Sequence, residues 1–91
     1  MLVRLEEARD GKYKYIAHFS NGRKTRFGAK GYEDYTMHHD VKRREAYRKR
    51  HAKDLATNDP YRAGYLSYYI LWGDSTSITE NVRAYNRRFF K

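Results

Sequence analysis

Alternation of apolar and polar positions comes first along this chain, and helical periodicity follows it. Between Tyr13 and Phe19 the residues Tyr13, Tyr15, Ala17 and Phe19 share one face, and Lys12, Lys14, Ile16 and His18 the other. A period of two marks a strand covered on one side. Leu2 to Ala8 and Arg23 to Phe27 read as its neighbours. Asp10-Gly11 and Asn21-Gly22 separate the three runs, and such pairs suit tight hairpins because both residues can take positive φ. An antiparallel meander over residues 1–28 is predicted. One apolar face on a three-stranded sheet requires a cover.

The rest of the chain supplies that cover. Gly28 and Gly31 bracket the exit from the sheet, and residues 29–39 form an irregular connector with room for one helical turn. A strongly basic helix is predicted over residues 40–54. Asp40 serves as its N-cap, where a carboxylate meets unpaired amides and the positive end of the dipole. Val41, Ala46, Tyr47 and Ala52 provide its apolar positions, and it should fray between Asp54 and Asn58. Asp59-Pro60 restarts the chain, with proline in a first turn that does not need its missing N–H. Over residues 60–72, Tyr61, Tyr65, Tyr68 and Trp72 recur at helical spacing, and Leu66, Tyr69 and Ile70 fill much of the remainder. Gly73 ends this aromatic helix. Ser77 and Glu80 form a capping box, and Ile78, Val82, Tyr85 and Phe89 then make one apolar stripe through a last helix over residues 78–89. The fold class is α+β: a three-stranded antiparallel meander followed by three helices, in a single domain spanning residues 1–91.

Composition changes this picture in two ways. Ninety-one residues allow one thin core, and ten tyrosines, four phenylalanines and one tryptophan enlarge it. Each buried tyrosine hydroxyl then needs a partner. Charge is the second point: 20 Lys plus Arg stand against 11 Asp plus Glu, a net +9. Such a balance attracts acidic counterparts, whether nucleic acid, an acidic protein face or an anionic membrane. Twelve of the cations are arginine, the residue suited to forked contacts with carboxylate or phosphate. The chain has no cysteine, which points to a reducing interior rather than a disulfide scaffold. No apolar run approaches a membrane span, and MLVRLEEARD carries acids too early for a signal peptide. A soluble, intracellular protein is expected.

Candidate chemistry centres on the basic helix. Lys42, Arg43, Arg44, Arg48, Lys49, Arg50 and Lys53 face only Glu45 and Asp54 in that stretch, a local balance of +5. They could bind an acidic partner or phosphates, with salt-sensitive affinity and little sequence preference. Base reading would need Arg43, Arg50 and His51 inside a groove. Tyr61, Tyr65, Tyr68, Tyr69 and Trp72 exceed what one face can bury, so some of them are expected at an aromatic interface. The bland alternative is a solvated basic face and an ordinary aromatic core. His38, His39, Asp40 and His51 sit where a ββα metal-dependent nuclease would carry ligands, but adjacent histidines cannot readily both face one ion, and no paired carboxylates accompany them. They are read as hydrogen-bonding residues between sheet and helix. Gly28-Ala29-Lys30-Gly31 lacks the length and ending of a phosphate loop. Glu33, Asp34 and Asp40 are read as structural partners of the basic helix, and Ser75, Thr76 and Ser77 as loop and cap residues. No catalytic residue, metal ligand or cofactor is predicted.

From Phe27 to Phe89 the chain carries Phe27-Gly28, Gly31-Tyr32, Asp34-Tyr35-Thr36, His38, Asp40, Arg50-His51, Ala63-Gly64, Leu71-Trp72 and Asn86-Arg87-Arg88-Phe89. This string resembles a family of small basic proteins encoded by large double-stranded DNA viruses of eukaryotes. The resemblance implies a virion protein, made in the host-cell interior and carried in the particle. In such viruses small basic proteins serve as minor capsid components or as partners of packaged DNA. The expected function is therefore non-enzymatic: a minor capsid or virion component docking acidic surfaces of other capsid proteins. Binding to the packaged genome is the alternative.

Overall fold

The computed structural model describes residues 1–90. Its sheet is the expected meander, with strands β1 (Leu2–Glu7), β2 (Tyr13–Phe19) and β3 (Lys24–Ala29) in the order β1-β2-β3. Both pairings are antiparallel, with Leu5 opposite Ala17 and Tyr15 opposite Phe27. The turns differ from the expected pairs of positive φ. Only the glycines are left-handed, Gly11 at φ 80° and Gly22 at φ 89°. Asp10 and Asn21 act through their side chains: Asp10 Oδ1 accepts from the Lys12 and Tyr13 amides, and Asn21 Oδ1 from that of Arg23. Short polar side chains that bond the backbone two residues on are the other way to make such a turn. Strand β3 runs two residues beyond its expected end, through Gly28 at φ 81°, against which the Leu71 side chain packs.

The outer edge of β1 is blunted. Its register shifts between Leu2 and Arg4, and the Asn86 carboxamide both accepts from the Leu2 amide and donates to its carbonyl, each at 2.8 Å. A bulge and a side chain in place of another strand are two ways of discouraging edge-to-edge pairing.

Helices follow in the order α1 (Tyr35–His38), α2 (Val41–His51), a 3-10 segment (Ala52–Thr57), α3 (Ala63–Leu66), which continues as a π-turn (Ser67–Leu71), and α4 (Ile78–Phe89). Helix α4 keeps its expected bounds. Its cap forms only one arm of the expected box: Ser77 Oγ accepts from the Glu80 amide, but the Glu80 carboxylate accepts from Ser75 Oγ, and it is Ser75 Oγ that accepts from the Ser77 amide. The aromatic helix is shorter than predicted. Asp59 accepts from the Tyr61 amide and closes a turn, so regular helix begins at Ala63. It ends before Gly73, as read in the sequence, and the glycine is needed for space. Gly73 has no positive φ; a Cβ there would lie 2.2 Å from the Tyr69 carbonyl oxygen and 2.9 Å from Asn81.

One core joins these layers. Ala17, Phe19 and Phe27 of the sheet meet Leu66, Ile70 and Leu71, with Tyr85 of α4 closing the far side. Buried tyrosines find backbone acceptors: Tyr85 donates to the Pro60 carbonyl and Tyr65 to that of Leu55. Helix α2 takes a different position, outside this core, and buries none of its residues fully.

Candidate anion-binding face

Asp40 builds the start of α2, its Oδ1 accepting from the Lys42 amide at 3.0 Å and the Arg43 amide at 3.3 Å. From there the helix distributes its cations over three sides. Arg44 and Arg48, one turn apart, point inward. Arg44 Nε donates to the Gly73 carbonyl at 2.6 Å and its terminal nitrogen to Asp74, and Arg48 reaches the same carboxylate at 3.2 Å. The Arg48 guanidinium also lies 4.4 Å from the centre of the Tyr68 ring. These two arginines fasten the helix to the loop after the aromatic helix.

Lys42 and Lys49 lie on the opposite side, and Lys53 follows them in the 3-10 segment, because regular α-helix ends at His51 and not at the expected residue 54. All three are exposed and without an acidic partner among the described residues. Arg43 and Arg50, two turns apart, flank a cleft between α2 and the sheet. Arg43 meets Glu33 at 3.4 Å across its rim, and Arg50 has no acidic partner among the described residues. Of the seven cations read as binding residues, two are structural, one is loosely paired and four meet no acid among the described residues.

Tyr47 is the other attachment of α2. Its ring lies parallel to Trp72 at 4.2 Å and against His51 at 4.2 Å, so both faces are covered. Burial, and then the nearby Asp54 carboxylate, push its hydroxyl above the ordinary tyrosine range.

The five aromatics read as a possible interface are not brought to one surface. Tyr65 and Trp72 are core residues, 6% and 9% exposed, and stand on no exposed aromatic patch. Tyr61 packs edge-on against Phe19 and Phe90 under the Arg23 guanidinium. Tyr68 and Tyr69 are half-buried beneath Arg48. The surplus of rings is absorbed by packing of ring against ring and by arginines laid across them, which a count of helix faces does not anticipate.

The histidines go to separate places. His38 Nδ1 accepts from the Asp40 amide, and its buried Nε2, beside Trp72, has no acceptor. His39, left-handed at φ 57°, contacts the Thr36 carbonyl through Nε2, and His51 bonds Asp54 at 3.0 Å. Among the described residues no group of three or more histidines and carboxylates is placed to hold a metal ion. Asp34, expected to reach back to the basic helix, is 2% exposed and instead bonds Lys14 Nζ at 2.6 Å while capping α1 through the Thr36 amide. Sequence reasoning missed Asn81, which is buried and donates to the Ile70 and Ser75 carbonyls while accepting from the Ser75 amide. It shapes the loop that carries Asp74, and it sits one position before Val82 of the apolar stripe with no mark of that role.

These features define a small α+β protein that holds a cationic helix outside its core. The chain belongs to a family described only as being of unknown function (DUF5754), whose family model matches residues 3–51, from the sheet to the end of α2. No curated protein and no solved structure matches the chain. Among the described residues no helix is long and apolar enough to cross a membrane.

Proposed function

We propose that the protein is a non-enzymatic component of the particle of a large double-stranded DNA virus, docking through the outer side of α2 onto an acidic surface of a neighbouring capsid protein. The observation that carries this reading is a helix that buries no residue fully yet holds Lys42, Lys49 and Arg50 exposed, with Lys53 following in the 3-10 segment, none of them meeting an acidic partner among the described residues. A helix with so small a share in the core has its cations available for an outside partner, and the inward arginines keep its orientation fixed. The viral setting rests on the resemblance of the motif string from Phe27 to Phe89. Zero-length carbodiimide cross-linking of intact particles tests it, because that chemistry joins lysine amines to carboxylates. Lys42, Lys49 or Lys53 should be joined to Asp or Glu of shell proteins. Particles without the protein, or without such links, would overturn the proposal.

A second reading is favoured by the kind of cation exposed. Lysines are point charges without the forked geometry that reads bases, and Lys42 and Lys49 stand about 10 Å apart along the helix axis, a spacing suited to following a phosphate backbone. On this reading the helix coats packaged DNA without sequence preference. Four phosphate contacts would lower affinity for mixed-sequence duplex about a hundredfold between roughly 50 and 200 mM salt. Affinity that ignores salt would exclude it.

A further inference from the structure

The cleft beside α2 has a volume of about 480 Å³, within the range of clefts that hold ligands. One wall is the side of α2 carrying Arg43, Ala46 and Arg50; the other is the end of the sheet and the connector, with Ala29 and Tyr32; Leu71 and Trp72 form the floor. We propose that this cleft receives an extended acidic segment of a partner protein, with carboxylates alternating with apolar side chains. The inference rests on the docking function proposed above and assigns it a specific pocket.

Charge decides the sign of the occupant. Lys14 and Asp34 neutralise each other at the inner end, 2.6 Å apart. Glu33 offers Arg43 only a long, solvent-exposed contact of 3.4 Å, which an incoming carboxylate can replace. Arg50 meets no acid among the described residues, so the cleft is left cationic. Ring geometry then argues against a nucleotide base. Tyr47 has both faces covered, by Trp72 and His51, and the buried Trp72 is committed to that stack. Bases bind single-stranded sites by stacking on free aromatic faces, and here only Tyr32, 73% exposed at the mouth, presents one. What remains is a pair of arginine forks over an apolar floor. Seven residues of helix separate Arg43 from Arg50 by about 10 Å. Same-side residues of an extended chain recur about every 7 Å, so glutamates two or four positions apart bracket that distance, and the intervening apolar side chains face the opposite wall at Ala29 and Tyr32.

Trp72 is the single tryptophan of the chain and lines this cleft, so occupancy has its own reporter. The intact protein would be titrated with the capped pentapeptide Glu-Leu-Glu-Leu-Glu while Trp72 emission is followed. A saturable change is expected. Arg50→Ala should weaken it about tenfold, the scale of one charge-assisted contact, and Ala46→Phe should abolish it by filling the cleft. Both positions are exposed, and an unchanged melting temperature confirms that the variants fold. The triple variant Lys42→Ala, Lys49→Ala, Lys53→Ala should bind the peptide nearly as wild type. Silence from Trp72, equal affinity in Arg50→Ala, or displacement of the peptide by adenosine monophosphate or inorganic phosphate would each overturn the assignment. If polyglutamate binds wild type but not the triple-lysine variant, and Trp72 stays silent to the pentapeptide, docking by the outer face stands and the cleft proposal falls. A Trp72 response from a protein that is missing from particles would sink the virion reading instead.

Discussion

The two sides of α2 use the same charge for opposite ends. Inward, Arg44 and Arg48 converge on one short loop, where Arg44 is half-buried and bonds the Gly73 carbonyl. Outward, Lys42 and Lys49, with Lys53 in the 3-10 segment just beyond, stand exposed with no acid to meet among the described residues. Residue type follows position. On these two sides, though not at the exposed Arg43 and Arg50 of the cleft, arginine with its planar fork sits where several acceptors must be held at once, and lysine where a flexible point charge suffices. A run of basic residues is thus two devices, one that orients the helix and one that is left for something else. Net charge alone cannot separate them.

The largest effect should come from the residue that supports the inner side from below. Replacing Asn81 by alanine strands the Ile70 carbonyl and both backbone groups of Ser75. Leaving buried polar groups unpaired predicts a loss of about 3 kcal/mol, or a fall in melting temperature of about 15 °C for a domain of this size. Arg44→Ala comes next, at about 1–2 kcal/mol, because a guanidinium bonded to a carbonyl and half-buried is lost. The ion pair contributes little of that, since the Asp74 carboxylate is 95% exposed and screened by water. Asp74→Asn should therefore cost under about 0.5 kcal/mol. Equal losses for Arg44→Ala and Asp74→Asn, measured by urea denaturation, would show that the inner side is held by charge and would break the comparison as drawn.

How much of this could be read from the residues alone follows the range of the interactions. The meander and α4 were legible because their signals are local: alternation in Tyr13 to Phe19, and the stripe Ile78, Val82, Tyr85, Phe89 behind a Ser77 cap. The Asp40 cap on α2 was legible for the same reason. What failed depended on distant partners. Asp34 turned to Lys14, twenty residues back, and although Gly73 does follow the helix end, the approach of Tyr69 and Asn81 that requires a glycine there was not visible. Tyr65 and Trp72 looked like spare aromatics because the sequence does not show how far Phe19, Phe27 and Tyr85 enlarge the interior. For the site, the seven cations could be found in the sequence. Their division into inner, outer and cleft sides required Asp74, thirty positions from Arg44, to be in place.

Smaller still, in stability, is the outer side. Lys42→Ala, Lys49→Ala and Lys53→Ala together should leave the melting temperature within about 3 °C, as exposed substitutions away from special contacts do. Binding is where they should count. If α2 engages duplex DNA, removing three phosphate contacts should lower the slope of log affinity against log salt by about three, while Arg48→Ala should leave that slope nearly unchanged. A triple variant that melts early would mean the lysines share in holding the fold.

The effect most specific to the inner attachment, and one that shows mainly at high pH, concerns Tyr47. Burial raises its hydroxyl above the ordinary tyrosine value, as burial does more strongly for Tyr85 in the core. The sign follows from linkage: the fold favours the protonated phenol, so its contribution is complete below the unfolded value near about 10 and is lost as pH rises through the folded one. Tyr47→Phe keeps the stack on Trp72 and removes the titrating group. It should melt within about 1 kcal/mol of wild type at pH 7 and lose part of the decline in stability that wild type shows above about pH 10. Tyr85→Phe should remove another part, because Tyr85 bonds the Pro60 carbonyl on the far side of the core. Only the Tyr47 share should coincide with a change in Trp72 emission, since its ring lies parallel to the indole at 4.2 Å. If alkaline loss of the stack and of the fold coincide in wild type and separate in neither variant, then α2 does not loosen independently of the core. Its inner side would then belong to the folding unit as fully as α4 does.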